Sequence, residues 1–586
     1  MRKLLPFLLT PALIAALSYE VRFIGLNDMA AVKSLLDASL LVSQHDRPPA
    51  SINGLRYRIA ADIPVLVRTL HAHAYYEATI TSQVITEENG ELRVDLYIHP
   101  GPQYKLSRYE VYSGDCKNWA EVPGCAPFTP ELLGLGVGEP ALSVTIVNGE
   151  LQLLTELARC GHPLAIVDKR RVVVDMANNT VEAAACIQEG PLAKFGPLTY
   201  FGIEETKLRF IESKLAWKEG DIYDADLIEQ TQHRLLKSEL FSSVLITHGD
   251  ELDAIGELPM KMRITEAQHR QINLGVYYAT VDGPGAIATW THRNVRGMGE
   301  IFSAKIDFSK RYWAGSLTYK KPDFLTFDQT YRALALLSRD KIHAYLAYMY
   351  RFANYIDRVI DSRRFISAGL KIDHINVTDS ASNGVYFLIG LPLFGKYDAS
   401  DDPLDPKTGY TFAYSATPYQ SLLEGGVQFV KQRLTSTFYI PCTPGKKIVL
   451  ALRVQLGSIA GTKQRNIPLP KLFLGGSEDD LRGYKYKTVS PLRGTKPLGG
   501  KSAIFTSVEM RIRLMQKIGI VPFADFGTVT SSGTPTLDTK WFKSVGVGLR
   551  YFAFFGPLRF DIGFPLDRRK HIDSAFQIYA SVGQAF

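Results

Sequence analysis

Past its N-terminus the chain contains no apolar run of about eighteen residues, the length a membrane helix needs. That absence excludes a helical membrane span after the N-terminus. It leaves a β-barrel open, because a barrel strand shows only alternate residues to lipid. Cysteine is scarce, with 5 in 586 residues, and none of the spacings resembles a zinc site. The 12 His residues form no HExxH-type cluster and read as surface and loop residues. Gly475-Gly476 is followed by no Gly-Lys-Ser/Thr, so it reads as a turn and not a phosphate loop. No GxSxG sits on a strand–helix turn in the first half, which counts against a lipolytic domain fused to a barrel. The net charge of +8 is modest for this size and forms no basic stripe, so no nucleic-acid partner is expected. No metal and no cofactor are expected either, and the chain does not read as an enzyme.

What is present begins with Arg2 and Lys3 ahead of an apolar stretch, Leu4 to Leu17. That stretch is short for a span, contains Pro6 and Pro11, and ends at small residues, Ala16 and Ser18. It reads as a cleaved signal peptide, residues 1–18, leaving Tyr19 first. Export permits disulfides. Cys116 and Cys125 bracket a short loop and are placed to pair locally; Cys160 and Cys186 then pair, leaving Cys442 single. Sequence leaves this connectivity open.

From Tyr19 to Gln268 helical and strand patterns alternate in three weakly similar units. Helix-like segments at Val65–His73, Leu151–Cys160 and Leu227–Leu240 each lead into strands. The closing strands run through Arg93–Pro102, through a segment ending at Pro191, and through Met260–Glu266. From Arg270 to Phe586 the pattern is almost continuous strand and turn. Ile272, Leu274 and Val276 alternate with Asn273 and Gly275; Leu558, Phe560, Ile562 and Phe564 alternate with Arg559, Asp561 and Gly563. Apolar on one face, small or charged on the other, over segments of about ten residues, is barrel alternation. Segmenting predicts about sixteen antiparallel strands, an even number with both ends on the periplasmic side. The segment 460–501 then becomes the sixth external loop. The acidic segment Asp398–Asp405, broken by Pro403, lacks EF-hand spacing and reads as an external loop. The last strand, Phe576–Phe586, ends on an aromatic and must pair with the first, because an open edge in lipid costs several kcal/mol per unpaired group. Its ending resembles the C-terminal signal of bacterial outer-membrane barrels.

The predicted sixth loop carries Leu481-Arg482-Gly483-Tyr484. Phe523-Ala524-Asp525-Phe526-Gly527 follows, and then Gly556-Pro557-Leu558-Arg559-Phe560-Asp561. These three motifs resemble those of the BamA/TamA superfamily, whose members join periplasmic POTRA modules to a sixteen-stranded barrel. Lys485-Tyr486-Lys487 resembles the TamA branch more than the BamA branch, and three modules fit it better than the five usual in BamA. The organisation implied is a signal peptide at 1–18, POTRA-like modules at 19–101, 102–192 and 193–268, and a barrel at 269–586.

An ion pair at a loop tip in water is worth about 0–1 kcal/mol. An Arg folded into a lumen, with fixed partners and little water, can act as a latch. Alternation turns Glu509 inward, because Thr506, Val508, Met510 and Ile512 form the opposite, apolar face. The resemblance places Asp525 beside it as a second partner of Arg482. It also implies a seam between first and last strands that opens sideways, here Ile272 and Leu274 against Gly583 and Phe586. The implied function is insertion or translocation of outer-membrane and autotransporter-type proteins. The implied partners are a TamB-like periplasm-spanning protein, unfolded clients and outer-membrane lipid. A BamA-type insertase, a two-partner secretion pore and a passive porin are the alternatives.

Overall fold

The computed structural model describes residues 17–88, 91–114, 116–279, 283–380, 383–423, 427–553 and 556–582. The expected signal peptide, except for Leu17 and Ser18, lies outside the described residues. The chain divides into two compact units. One holds Met1–Gly202, Lys214–Lys237 and Ser243–Thr265; the other holds Ile203–Ser213, Ser238–Ser242 and Glu266–Phe586.

The first unit carries three α/β modules of one design. In the first, the opening strand Tyr19–Ile24 runs parallel to the closing strand Leu92–His99, and Thr79–Thr86 pairs antiparallel on its other side. Lys105–Ser113, Thr180–Gln188 and Ile166–Asp175 repeat that order, as do Lys194–Phe201, Glu257–Glu266 and Phe241–His248. The closing strand always lies in the middle, which is why it is the most apolar: Val94, Leu96 and Ile98 are buried. Helix Ile52–Ala72 covers them with Leu55, Ile59, Leu66 and Leu70, one face at helical spacing. This helix begins thirteen residues before the predicted Val65. Pro64, normally a breaker, hides its first half from pattern reading. Ser51 starts it by accepting the Gly54 N–H at 3.2 Å. Buried Asp62 then accepts hydrogen bonds from Ser39 Oγ and from the Leu40 and Leu41 N–H groups.

The cysteines pair differently from the local expectation. Cys116 bonds Cys186, and Cys125 bonds Cys160. The reason is the parallel ladder between Lys105–Ser113 and Thr180–Gln188. It sets Tyr112 opposite Cys186, so the chain leaving that strand returns Cys116 to the same place. Cys125 is thereby left to the C-cap of helix Ser143–Arg159, which is Cys160. Among the described residues Cys442 is the free cysteine, and it is exposed.

The second unit is dominated by one antiparallel sheet, running from Arg270–Ala279 in sequence order to Gln577–Val582. Among the described residues it contains seventeen strand segments. Two of them, Gly384–Gly390 and Leu393–Asp398, share one place, since both pair with Arg364–Thr378 and with Gly409–Ser421. Pro392, which lacks an N–H, interrupts the ladder between them. The first and last strands approach each other, yet no ladder joins them among the described residues.

The sheet is inside out by the standard of a soluble protein. Leu274 and Val276 are 79% and 90% exposed, whereas Glu509, Asp525, Arg550 and Asp561 are 0% exposed. Apolar residues outside and charges within define a lipid-facing barrel. One loop expectation is overturned. Asp405 pairs with Arg513 at 2.6 Å and Asp401 with Lys446 at 3.3 Å, at the opposite end of the sheet from the loop that carries Arg482. The acidic segment is therefore a turn at the end of the sheet opposite that loop, not an external loop. The two-segment strand before it sets that parity, and its proline break obscured the count.

Non-reducing peptide mapping of the purified protein is expected to recover linked peptides containing Cys116 with Cys186 and Cys125 with Cys160. A linked Cys116–Cys125 peptide would contradict the fold of the second module.

Candidate functional site: the buried arginine of the long loop

The segment between strands Ile448–Gly461 and Ser502–Arg513 folds back into the barrel. Its apex is shaped locally by Asp480, whose Oδ1 accepts the N–H groups of Gly476, Ser477 and Leu481 at 2.9, 2.7 and 2.5 Å. Leu481 then packs into an apolar cluster with Phe473, Val489, Phe505 and Phe542. These contacts aim the next residue inward.

Arg482 is fully buried. Its guanidinium grips Asp525 with two parallel bonds, Nε to Oδ2 at 2.8 Å and Nη2 to Oδ1 at 2.8 Å. Its backbone N–H donates to the same carboxylate at 3.1 Å. Nη1 donates to Glu509 at 2.7 Å and to Asp561 at 3.1 Å. The Phe523 ring closes the face, with Cζ 3.5 Å from its centroid. Three acids on one cation would leave surplus negative charge. Arg511 on Glu509 and Arg550 on Asp561 offset it. Arg559, near Asp561 at 3.6 Å, also binds Glu478.

Gly483 has φ +91°, a conformation L side chains rarely adopt. A Cβ there would lie 3.0 Å from the backbone of Phe564. The Gly483 N–H donates to Tyr579 Oη at 3.0 Å, on the last strand. Tyr484 Oη donates to the Lys543 carbonyl at 2.8 Å and accepts the Asp567 N–H at 3.2 Å. The loop apex is thus tied to strands Ser502–Arg513, Ile518–Thr530, Phe542–Ala553, Gly556–Pro565 and Gln577–Val582.

The predicted tetrapeptide and both predicted acids come together in this cluster. Asp525 faces inward because Phe523 and Val521 are buried on the same side, while Phe526 faces out. Gly527 lies on that strand against the Phe505 ring. Gly556 and Pro557 open the strand that delivers Arg559 and Asp561. Ile272 and Leu274 point outward on the first strand, away from the cluster. Gly583 and Phe586 lie outside the described residues.

Sequence reading missed Asp561 and Arg550 as partners, and missed Tyr579 altogether. The signal was available, since each alternates with outward apolar neighbours as Glu509 does. The His expectation fails at His162 and His269, which are buried; His269 Nδ1 lies 3.1 Å from Glu205.

The Omp85 superfamily domain matches residues 294–586, half of the chain. The chain belongs to the Omp85 superfamily. Outer membrane protein assembly factor BamA of Nitratidesulfovibrio vulgaris is 22% identical over 547 residues, 88% of this chain and 66% of that protein. The Omp85 chain thus spans just under two thirds of that relative's length. The crystal structure of BamA from Haemophilus ducreyi lacking POTRA domains 1–3 matches with a TM-score of 0.70 at 16% identity. That match covers 81% of this chain and 99% of the other, and it shows the fold. This Omp85 protein is located in the outer membrane, and its N-terminal α/β modules resemble POTRA domains and lie in the periplasm.

Removing one partner of a buried ion network costs about 3–5 kcal/mol, because the remaining charges stay buried. Arg482→Ala is expected to lower unfolding stability in detergent by about that amount. Asp561→Asn is expected to lower it as well, since that carboxylate is shared by Arg482 and Arg550. Denaturant titration of the heat-modifiable barrel band measures both, and an unchanged midpoint for Arg482→Ala would contradict the geometry.

Proposed function

We propose that the protein inserts or translocates outer-membrane proteins, acting by recognition rather than by covalent chemistry. The observation that carries this reading is the asymmetric tether. The loop apex binds the last five strands, from Ser502–Arg513 to Gln577–Val582, through Arg482, Gly483 and Tyr484. The first strand, Arg270–Ala279, has no hydrogen-bonded ladder to the last among the described residues. One side of the seam is braced from within, and on this reading the other side is the one that parts from it. An edge exposed there offers an incoming client strand a template. On this reading the seventeen segments are sixteen strands, two being halves of one, and the three periplasmic modules are POTRA domains.

Those modules have edge strands suited to strand addition. Ile166–Asp175 is an edge with Ile166, Val172 and Val173 exposed. A passive porin or a two-partner secretion pore would have less use for a brace on one side of a seam. Three modules and Lys485-Tyr486-Lys487 support a TamA-like role, with a TamB-like partner and autotransporter-type clients. The relative named BamA supports a BamA-type insertase equally well.

The test separates folding from work. Arg482→Ala is reconstituted in liposomes and its folded fraction measured by heat modifiability. Client insertion per folded molecule is expected to fall at least tenfold. Clients assembling at the wild-type rate would overturn the proposed role of the loop. Co-purification of a long, β-rich, inner-membrane-anchored protein would assign the TamA-like role over the BamA-like one.

A further inference from the structure

The Arg482 cluster is well supplied with carboxylates: Arg482, Arg511, Arg550 and Arg559 pair with Glu509, Asp525, Asp561 and Glu478. A second charged region of the same lumen is not. It is built on strands Leu346–Val359, Arg364–Thr378 and Gln428–Pro441, together with the start of the long loop. Here Asp373 takes both Arg351, at 2.6 Å, and Lys471. Lys371, Lys431 and Arg433 meet no carboxylate among the described residues. Five cations against one carboxylate leave a formal excess of four positive charges.

The five are contiguous. Lys371 and Lys471 lie over the Tyr419 ring at 4.9 and 5.0 Å from its centroid. Lys431 and Arg433 lie over the Phe473 ring at 4.8 and 5.7 Å. Lys431 Nζ donates to the Lys471 carbonyl at 2.7 Å, joining the two groups. Aromatic faces attract cations by about 0.5–2 kcal/mol but carry no net charge, so they hold these side chains together without neutralising them. Arg433 is exposed and Lys371 and Lys431 are half-buried, so the Arg433 side chain is the one open to the lumen water. Like charges this close, walled by protein of low dielectric, concentrate anions strongly.

We propose that this wall of the lumen is a binding site for a phosphate-class oxyanion carrying two or more negative charges. The ligand is either free in solution or the headgroup of a phosphorylated lipid. Lysine ammonium groups would meet it as point charges, with the Arg433 fork as the directional donor.

The test uses the full-length protein in an uncharged detergent, titrated calorimetrically with inorganic pyrophosphate. Wild type is expected to bind. Lys431→Gln with Arg433→Gln should weaken binding at least tenfold, while a charge-matched control outside the barrel, Lys33→Gln with Lys261→Gln, should bind as wild type does. If the double variant fails to show the heat-modifiable band, Lys371→Gln replaces it, with about a threefold loss expected. Short-chain phosphatidic acid forms the second arm. Competition with pyrophosphate supports the lipid headgroup as the source, and pyrophosphate binding alone supports the free anion. No binding by wild type, or equal binding by wild type and the lumen variants, would overturn the proposal.

Discussion

A guanidinium sealed from water must find its full set of acceptors within the protein. Arg482 is fully buried, and its acceptors come from three strands that are not consecutive in the sheet. That requirement organises the lumen around it. The acids must point inward on Ser502–Arg513, Ile518–Thr530 and Gly556–Pro565, so their strands must keep one register. A slip of one residue would turn each acid toward lipid and its apolar neighbours toward water. The ion network and the sheet register therefore support each other.

Buried ion pairs are weak as net stabilisers, because desolvation offsets much of the attraction. What they supply is discrimination between right and wrong positions. The loop apex has one place where three carboxylates, the Tyr579 hydroxyl and the Lys543 carbonyl all accept from it at once. Gly483 and Gly563 let the two backbones come close enough for this, with the position of a Gly563 Cβ only 2.9 Å from the Gly483 nitrogen. The brace is accordingly specific in position and dependent on small residues at the crossing.

Much of the barrel was legible because lipid imposes a strict period of two. Val545, Val547 and Leu549 alternate with Ser544, Gly546 and Gly548, and the structure turns the first set outward. The same period oriented Glu509. It was silent at Ile520–Phe526, which is apolar on both faces because Val521 and Phe523 pack under the folded loop. The end of the sheet at which Asp398–Asp405 lies was lost where Pro392 splits a strand in two. The disulfides were illegible for another reason: a parallel ladder joins strands about seventy residues apart, and no local spacing records it. Helix Ile52–Ala72 was half hidden by Pro64, which tertiary packing tolerates.

In the proposed function Arg482 serves insertion through its bond to Asp525. A double-mutant cycle on client-insertion rate tests it, with Arg482→Ala, Asp525→Asn and the combined variant compared per folded molecule. The double variant is expected to be no slower than the slower single variant, because both remove one interaction. Losses that multiply would show that the two residues act independently, and would contradict a shared role in insertion.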